Sequence, residues 1–198
     1  GGGSGVRGAG VIILAGIAGS QMFNALTALI IAQSASAEQA RGIMFWLLGN
    51  LSGVRWPDTW LVVPMALFGL GVTLWHARTL DAFTFGAESA AALGIDVRRA
   101  QVVLIATATL VTAIMVSVAG AIGFVGLVVP HLLRPLTGGQ PSRLLPTSAL
   151  GGASVVLAAD ILVRIVAPER DLKLGVLTAI VGAPFFLWLV WRERRKVA

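Results

Sequence analysis

The chain has 198 residues, of which 57% are hydrophobic and only 12% are charged, and its net charge is +6. Soluble domains carry about 25% charged residues, so this composition excludes nearly every soluble class and predicts an all-α, polytopic membrane helix bundle. The sequence contains no cysteine, which excludes disulfides and thiolate metal sites.

Six membrane spans and two short surface helices are predicted from the hydrophobic pattern. The spans cover residues 11–31, 60–75, 100–119, 120–135, 144–166 and 174–191. The surface helices cover 35–48, with Trp46 at the membrane interface, and 84–95, which ends near Gly94. The predicted domains are a glycine-rich start or linker at 1–10, a transmembrane domain at 11–191 and a basic tail at 192–198. The start, GGGSGVRGAG, fits either a truncated or engineered end or a natural glycine-rich loop.

The first span carries a stripe of polar side chains. Ser20, Asn24 and Thr27 recur at helical spacing, and Gln21 lies beside them. Polar side chains of a membrane helix face protein or water rather than lipid. Two interpretations stay open for this stripe: hydrogen bonding between helices, and the lining of a path through the membrane.

The segment 120–135, GAIGFVGLVVPHLLRP, is the most unusual stretch of the chain. Its unbroken apolar run has no polar face, which predicts a helix that is buried on all sides. Pro130 inside this segment, like Pro184 in the last span, predicts a kink. Three glycines at a spacing of three predict a small-residue face against which another helix packs: Gly120, Gly123 and Gly126.

Positive charge is spread unevenly between the two predicted membrane faces. When alternate loops are assigned to opposite sides, ten of the 15 Lys and Arg residues lie on the side of both termini. The whole net charge of +6 lies on that side. Cytoplasmic loops are enriched in Lys and Arg, so this side and the C-terminus are predicted to be cytoplasmic. The basic end WRERRK then anchors the chain at the membrane lipid, and no nucleic-acid partner is expected.

The motifs of common catalytic and cofactor sites are missing from the sequence. It contains neither the phosphate-binding G-x-x-x-x-G-K-[ST] loop nor the zinc motif H-E-x-x-H. We therefore expect no ATP hydrolysis, no catalytic residue and no bound cofactor or metal in this chain. A transporter or channel component fits the composition better. An intramembrane enzyme would depend on Asp160, which is four residues from Arg164 and able to pair with it.

Five stretches resemble the FecCD-type permease subunits of ABC importers for iron–siderophores, haem and cobalamin. In chain order they are MFWLLGNLSGVRW, FGAESAAALGI, GAIGFVGLVVPHLLR, RLLPTSALGGASVVLAADILVR and GVLTAIVGAPFFLWLV. The resemblance runs from about residue 11 to about residue 191. That family has a ten-span permease fold, and this chain resembles its last six spans.

The resemblance implies a permease subunit in the inner membrane of a bacterial cell that moves substrate by alternating access. Its implied partners are a second permease subunit, identical or not, two ABC ATPase subunits that use the ATP, and a periplasmic or lipid-anchored substrate-binding protein. Two alternatives stay open. One is an ABC permease for divalent metal ions, and the other is a channel component or a non-functional fragment.

The resemblance also implies residue roles. The cytoplasmic coupling helix that contacts the ATPase matches at Gly86, Glu88, Ala91, Leu93 and Gly94. Ala87 departs from the acidic residue often found there. Arg164 matches an arginine that receives a carboxylate of the substrate-binding protein; alternatively, it only pairs with Asp160. Candidates for the lining of the translocation path are Ser20, Gln21 and Asn24.

Overall fold

A computed structural model describes residues 3–33, 36–166 and 173–197. These residues form helices joined by turns and bends, with no strand among them, which confirms the all-α prediction. In chain order the helices are α1 Gly3–Ala32, α2 Ala37–Leu47, α3 Trp56–Trp75, α4 Ala77–Phe83, α5 Ala87–Ala92, α6 Val97–Ala119, α7 Val125–Thr137, α8 Pro141–Val166 and α9 Leu174–Val197.

The chain divides into two compact units, Gly1–Phe45 and Trp46–Ala198, called here unit 1 and unit 2. In unit 1, α1 begins at Gly3, so the predicted glycine-rich start is helical from residue 3 onwards. The start of α2 is capped by Ser36, whose hydroxyl oxygen accepts a hydrogen bond from the backbone amide of Gln39 at 3.2 Å.

Among the described residues, four helices are long and apolar enough to cross a membrane: most of α1, and α3, α6 and α8. Two further apolar helices are shorter, namely α7 and the part of α9 from Leu174 to Leu189. Each of the six predicted spans overlaps one of these helices. The 13 residues of α7 extend only about 20 Å at 1.5 Å per residue, less than the ~30 Å of hydrocarbon.

The segment 120–135 is not the single helix that the sequence predicts. Helix α6 ends at Gly120, which has a φ of +72° and donates its amide to the Val116 carbonyl at 2.8 Å. Residues 120–124 are not helical, and α7 begins only at Val125. Burial on all sides is also wrong, since Leu127 is 54% exposed. An apolar side chain in a membrane is equally stable against lipid, so an apolar run does not require protein on every side.

The three glycines of this segment do not share a helix face, because Gly120 and Gly123 precede α7. A Cβ added at Gly123 or Gly126 would meet no heavy atom within 4 Å. A Cβ at Gly120 would collide with the carbonyl oxygen of Trp46. The close approach at residue 120 is therefore between two backbones rather than between two helices.

Small-residue packing between helices occurs elsewhere in unit 2. A Cβ at Gly69 in α3 would lie 2.6 Å from Cγ2 of Val111 in α6. A Cβ at Gly151 in α8 would lie 2.8 Å from Cδ1 of Leu133 in α7. Because glycine has no side chain, these helix pairs pack with their backbones close together.

The two prolines that were predicted to kink their helices, Pro130 and Pro184, lie inside continuous helices. Helix α7 runs through Pro130 and Pro135, and α9 runs through Pro184. Proline has no amide hydrogen, so each of the three leaves the carbonyl four residues earlier without its helical donor. A kink at Pro130 and at Pro184 remains a prediction.

Candidate functional site

The first candidate site surrounds the short helix α5 and is called here the α5 surface, residues 85–94. Two glycines with left-handed backbone bound the helix: Gly86 has a φ of +97° and Gly94 a φ of +80°. Gly94 donates its amide to the Ala91 carbonyl at 2.9 Å, and Ile95 donates to the Ala90 carbonyl at 3.2 Å. This pair of bonds is a Schellman motif, which needs a residue at positive φ and ends the helix at a defined place.

Helix α5 packs on the rest of unit 2 through a single small side chain. Ala90 has no exposed surface, and Ala82 of α4 and Ala100 of α6 are also buried. Both α4 and α6 contact α5. The other side of the segment is exposed, with Phe85 at 79% and Leu93 at 74%. These exposed apolar side chains lie outside the helices that are long enough to cross a membrane, which makes them candidates for contact with another protein or with the membrane surface.

All five residues predicted for the coupling helix lie on the α5 surface and are exposed: Gly86, Glu88, Ala91, Leu93 and Gly94. The sequence interpretation missed Phe85. An aromatic residue directly before the glycine that starts a surface helix was the available signal. The aromatic ring adds to the exposed apolar area beside the carboxylate of Glu88.

Further contacts tie this end of unit 2 together. Asp96 caps α6, because its Oδ1 accepts the Arg99 amide at 3.0 Å, and its Oδ2 lies 3.1 Å from Arg99 Nε. The backbone amide of Ser142 donates to Oδ1 of Asp81 at 3.4 Å, which connects the start of α8 to α4. The α5 surface therefore lies where α4 ends and where α6 and α8 begin.

The opposite end of unit 2, where α6 ends and α9 begins, contains a meeting of three backbone segments, called here the glycine junction: Gly49, Gly120 and Gly175. Asn50 donates its amide to the Ala119 carbonyl at 2.8 Å, and Gly175 donates to the Gly49 carbonyl at 3.3 Å. A Cβ at Gly175 would lie 2.6 Å from the carbonyl oxygen of Ala121 and would also collide with that of Leu48. Only glycine permits this approach.

The second candidate site, the Arg164 site, lies beside the glycine junction and consists of Arg164, Asp160 and Ser52. Arg164 Nε donates to Asp160 Oδ2 at 2.7 Å, which confirms the pair expected from their spacing. Arg164 Nη2 lies 3.5 Å from Ser52 Oγ. The Arg164 side chain is 56% exposed and that of Asp160 only 15%. The arginine is therefore the accessible member of the pair.

The candidate path residues lie on α1 in unit 1 and are exposed: Ser20, Gln21 and Asn24. The Ser20 hydroxyl donates to the Ile17 carbonyl at 2.9 Å, and Asn24 Nδ2 donates to Gln21 Oε1 at 3.4 Å. These bonds lie within one helix, so they do not require a neighbouring helix. The lining of a path by these residues remains a prediction.

An apolar cavity of about 400 Å³ lies between α7, α8 and α9. Its walls include Phe124, Val128, Leu162, Thr178 and Phe185. The Thr178 hydroxyl donates to the Gly175 carbonyl at 3.1 Å, so its hydrogen is used within the helix. The cavity therefore offers shape but no charged group to orient a polar ligand. Among residues 3–33, 36–166 and 173–197, no group of three or more His, Cys, Asp or Glu side chains could hold a metal ion.

Residues 4–192 match the FecCD transport family. The chain belongs to this family. It is 42% identical, over 92% of its length, to the cobalamin import system permease protein BtuC of Halobacterium salinarum. It is 38% identical, over 92%, to the Fe(3+) dicitrate transport system permease protein FecD of Escherichia coli, and 35% identical, over 93%, to the hemin transport system permease protein HmuU of Yersinia pestis.

The chain spans about half the length of these relatives, namely 48%, 57% and 55%. Its fold is also similar to a solved structure described as an inward-facing conformation of a metal-chelate type ABC transporter. The TM-score is 0.82 at 32% identity, over 91% of this chain and 58% of the other. The similarity to a FecCD-type permease and the fold class are therefore confirmed, and the apolar helices are those of a multi-pass membrane protein.

Proposed function

We propose that this FecCD-family chain is a membrane-spanning permease subunit of an ATP-driven importer for an iron complex, such as a siderophore or haem, or for cobalamin. The observation that supports the proposal is the similarity to permeases named for the import of cobalamin, ferric dicitrate and hemin. These substrates are all metal chelates, so the proposed substrate class is a large metal chelate rather than a free metal ion.

In this proposal, α5 is the coupling helix that contacts a separate ATPase. Phe85 and Leu93 of the α5 surface supply exposed apolar contact area, and Glu88 supplies a charge between them in the sequence. Because Ala90 is buried against the neighbouring helices, a push on α5 reaches α4 and α6 directly. ATP binding closes the ATPase pair, the coupling helices move, and the permease opens to the other side of the membrane.

In the proposed orientation, the α5 surface and the C-terminus lie on the cytoplasmic side of the inner membrane of a bacterial cell. The glycine junction lies on the outer side of that membrane. The distribution of positive charge supports it. The elements at the α5 end carry Arg78, Arg98, Arg99, Arg134 and Arg143. The described residues near the junction carry Arg55, Arg164 and Lys173. Excess Lys and Arg on the cytoplasmic side is the general rule for bacterial membrane proteins.

The proposed assembly contains a second permease subunit, two ABC ATPase subunits and a substrate-binding protein on the outer side. Arg164 contacts a carboxylate of that binding protein. Its 56% exposure at the junction end supports this role. In this assembly each permease subunit supplies one coupling helix, and each ATPase subunit supplies one cleft that receives it.

The proposal is tested by reconstitution into lipid vesicles with the ATPase and the substrate-binding protein of the same transport system. We expect the ATPase to co-purify with the permease, and ATP to drive uptake of a radiolabelled iron–siderophore, haem or cobalamin. ATP-driven uptake of Zn²⁺ or Mn²⁺ instead would indicate a divalent metal-ion permease. Flux without ATP, or no association with the ATPase, would indicate a channel component or an inactive fragment and would contradict the proposal.

A further inference from the structure

We propose that Asp160 is a positioning residue that holds Arg164 in place for a partner carboxylate and stays paired with it while the partner is bound. This inference rests on the proposed function, in which Arg164 contacts the substrate-binding protein. The alternative is that Asp160 competes with the partner for Arg164 and must release it first. The geometry of the Arg164 site favours positioning.

The guanidinium group has enough donors for both carboxylates. It carries five N–H bonds in a planar fork. Asp160 Oδ2 takes the Nε hydrogen at 2.7 Å, and Ser52 Oγ lies 3.5 Å from Nη2. Within the described part of the chain, no other ion pair or hydrogen bond of this guanidinium is found. No described residue occupies the edge formed by Nη1 and the second Nη2 hydrogen, and two parallel bonds to an incoming carboxylate would fit there.

Burial gives the two charges different roles. The side chain of Asp160 is only 15% exposed, whereas that of Arg164 is 56% exposed. A partner arriving from outside therefore meets the guanidinium and not the carboxylate. An unpaired exposed arginine samples many rotamers, and the loss of this freedom on binding weakens the affinity. The ion pair with Asp160 orders the Arg164 side chain before the partner arrives, so less conformational freedom is lost on binding.

The loop that carries Ser52 is itself anchored. The Ser52 amide donates to Asn50 Oδ1 at 3.0 Å, and the Asn50 amide donates to the Ala119 carbonyl at 2.8 Å. The backbone that carries the Ser52 side chain is therefore held close to the end of α6. Arg164 therefore contacts two acceptors, Asp160 on its own helix and Ser52 on this loop.

The test measures the dissociation constant between the full transporter in lipid nanodiscs and the substrate-binding protein of the same system. Arg164→Ala tests the proposed function, and we expect it to weaken binding at least about tenfold. Asp160→Ala should weaken binding about threefold to tenfold, because an unheld arginine must be ordered on binding. Asp160→Asn retains an oxygen that accepts from Nε, so it should restore binding to within about twofold of wild type. Glu38→Gln on α2 removes one negative charge elsewhere and should change nothing.

The outcomes separate the two proposals. If Arg164→Ala binds as well as wild type, the docking role fails and the inference fails with it. If Arg164→Ala weakens binding but Asp160→Ala and Asp160→Asn bind as well as or more tightly than wild type, Asp160 is a competitor or a bystander, and only the inference is overturned.

A second variant keeps the test decisive if Asp160→Ala fails to fold. Arg164→Lys preserves a positive charge beside Asp160 but removes the open second edge, because an ammonium is a point charge without a planar fork. We expect Arg164→Lys to bind nearly as weakly as Arg164→Ala. Binding close to wild type would show that charge alone suffices, and it would overturn the two-edge arrangement.

Discussion

The two ends of unit 2 both contain glycines at positive φ, such as Gly120 and Gly94, but they differ in what surrounds those glycines. At the glycine junction, Gly175 and Gly120 have no side chain because another backbone occupies the space where a Cβ would lie. At the α5 surface, Gly86 and Gly94 have open space around them, and glycine is needed for their positive φ. The glycine junction is held together by close backbone contacts, whereas the α5 surface exposes a short helix.

This difference separates folding from function. A substitution at the junction forces two backbone segments apart, so its effect should appear in the stability of the protein. A substitution on the exposed side of α5 disturbs no buried contact, so its effect should appear only when a partner is present. The four predictions below test that separation, from the largest expected effect to the smallest.

Gly175→Ala should have the largest effect, because the added methyl group would collide with backbone on two sides, at Leu48 and Ala121. Overpacking of a tight site costs about 1–3 kcal/mol, and rigid backbone on both sides places this variant at the upper end. The free energy of unfolding in SDS titrations of detergent-solubilised protein measures it. Gly152→Ala is the matched control, since its Cβ would meet only Val125 Cγ1 at an ordinary 3.8 Å. Equal stability of the two variants would contradict the account of the junction.

Glu88→Arg should leave stability unchanged and reduce ATP-driven uptake about tenfold, the loss that corresponds to about 1.4 kcal/mol of contact free energy. The side chain is exposed on α5, so in the proposed assembly the reversed charge acts on the contact with the ATPase. Uptake into reconstituted vesicles and co-purification of the ATPase measure the effect. Glu38→Arg makes the same charge change on α2 and should not impair uptake. Normal uptake by Glu88→Arg would contradict the proposal that α5 couples the permease to the ATPase.

Trp46→Phe should lower the free energy of unfolding by about 1 kcal/mol, the net contribution of one hydrogen bond. Its indole Nε1 donates to the Ser117 carbonyl at 3.3 Å and so ties the end of α2 to α6 next to the glycine junction. SDS titration again provides the measurement. Trp75→Phe, at a side chain that is 86% exposed, is the control with a smaller expected change. A Trp46 variant as stable as wild type would show that this bond does not support the junction.

Arg192→Gln should have the smallest effect, about 0.5 kcal/mol, which is the value of an exposed cation–π contact. The guanidinium carbon of Arg192 lies 5.4 Å from the centre of the Trp188 ring, at the basic end of α9. Arg192→Lys keeps the positive charge and should lower the free energy of unfolding less than Arg192→Gln does. A loss above about 2 kcal/mol would mean that Arg192 makes a contact stronger than stacking on an exposed ring.

The sequence predicted best what depends on local chemistry. The long apolar runs predicted the bounds of α6 and α8 to within three residues, and Gly94 predicted the end of α5. The pair of Asp160 and Arg164 follows from a spacing of four on one helix. Each of these features is decided by residues within a few positions of one another.

The failures concern contacts between distant residues. Ser52 and Arg164 are 112 positions apart, and no local pattern connects them. The prediction of a single helix over 120–135 was also wrong, because an unbroken apolar run does not distinguish a helix from a non-helical turn. The backbone of Gly120 lies close to those of Trp46 and Gly49, an approach that only the folded chain brings about.

The central claim is that the α5 surface and the glycine junction lie on opposite sides of the membrane, with α5 in the cytoplasm. The sequence contains no cysteine, so single cysteines at the exposed positions Ala91 and Gly53 report each side without background. In intact bacterial cells, a membrane-impermeant maleimide should label Gly53→Cys, whereas it should label Ala91→Cys only after the membrane is permeabilised. Labelling of Ala91→Cys in intact cells, with Gly53→Cys protected, would contradict the account.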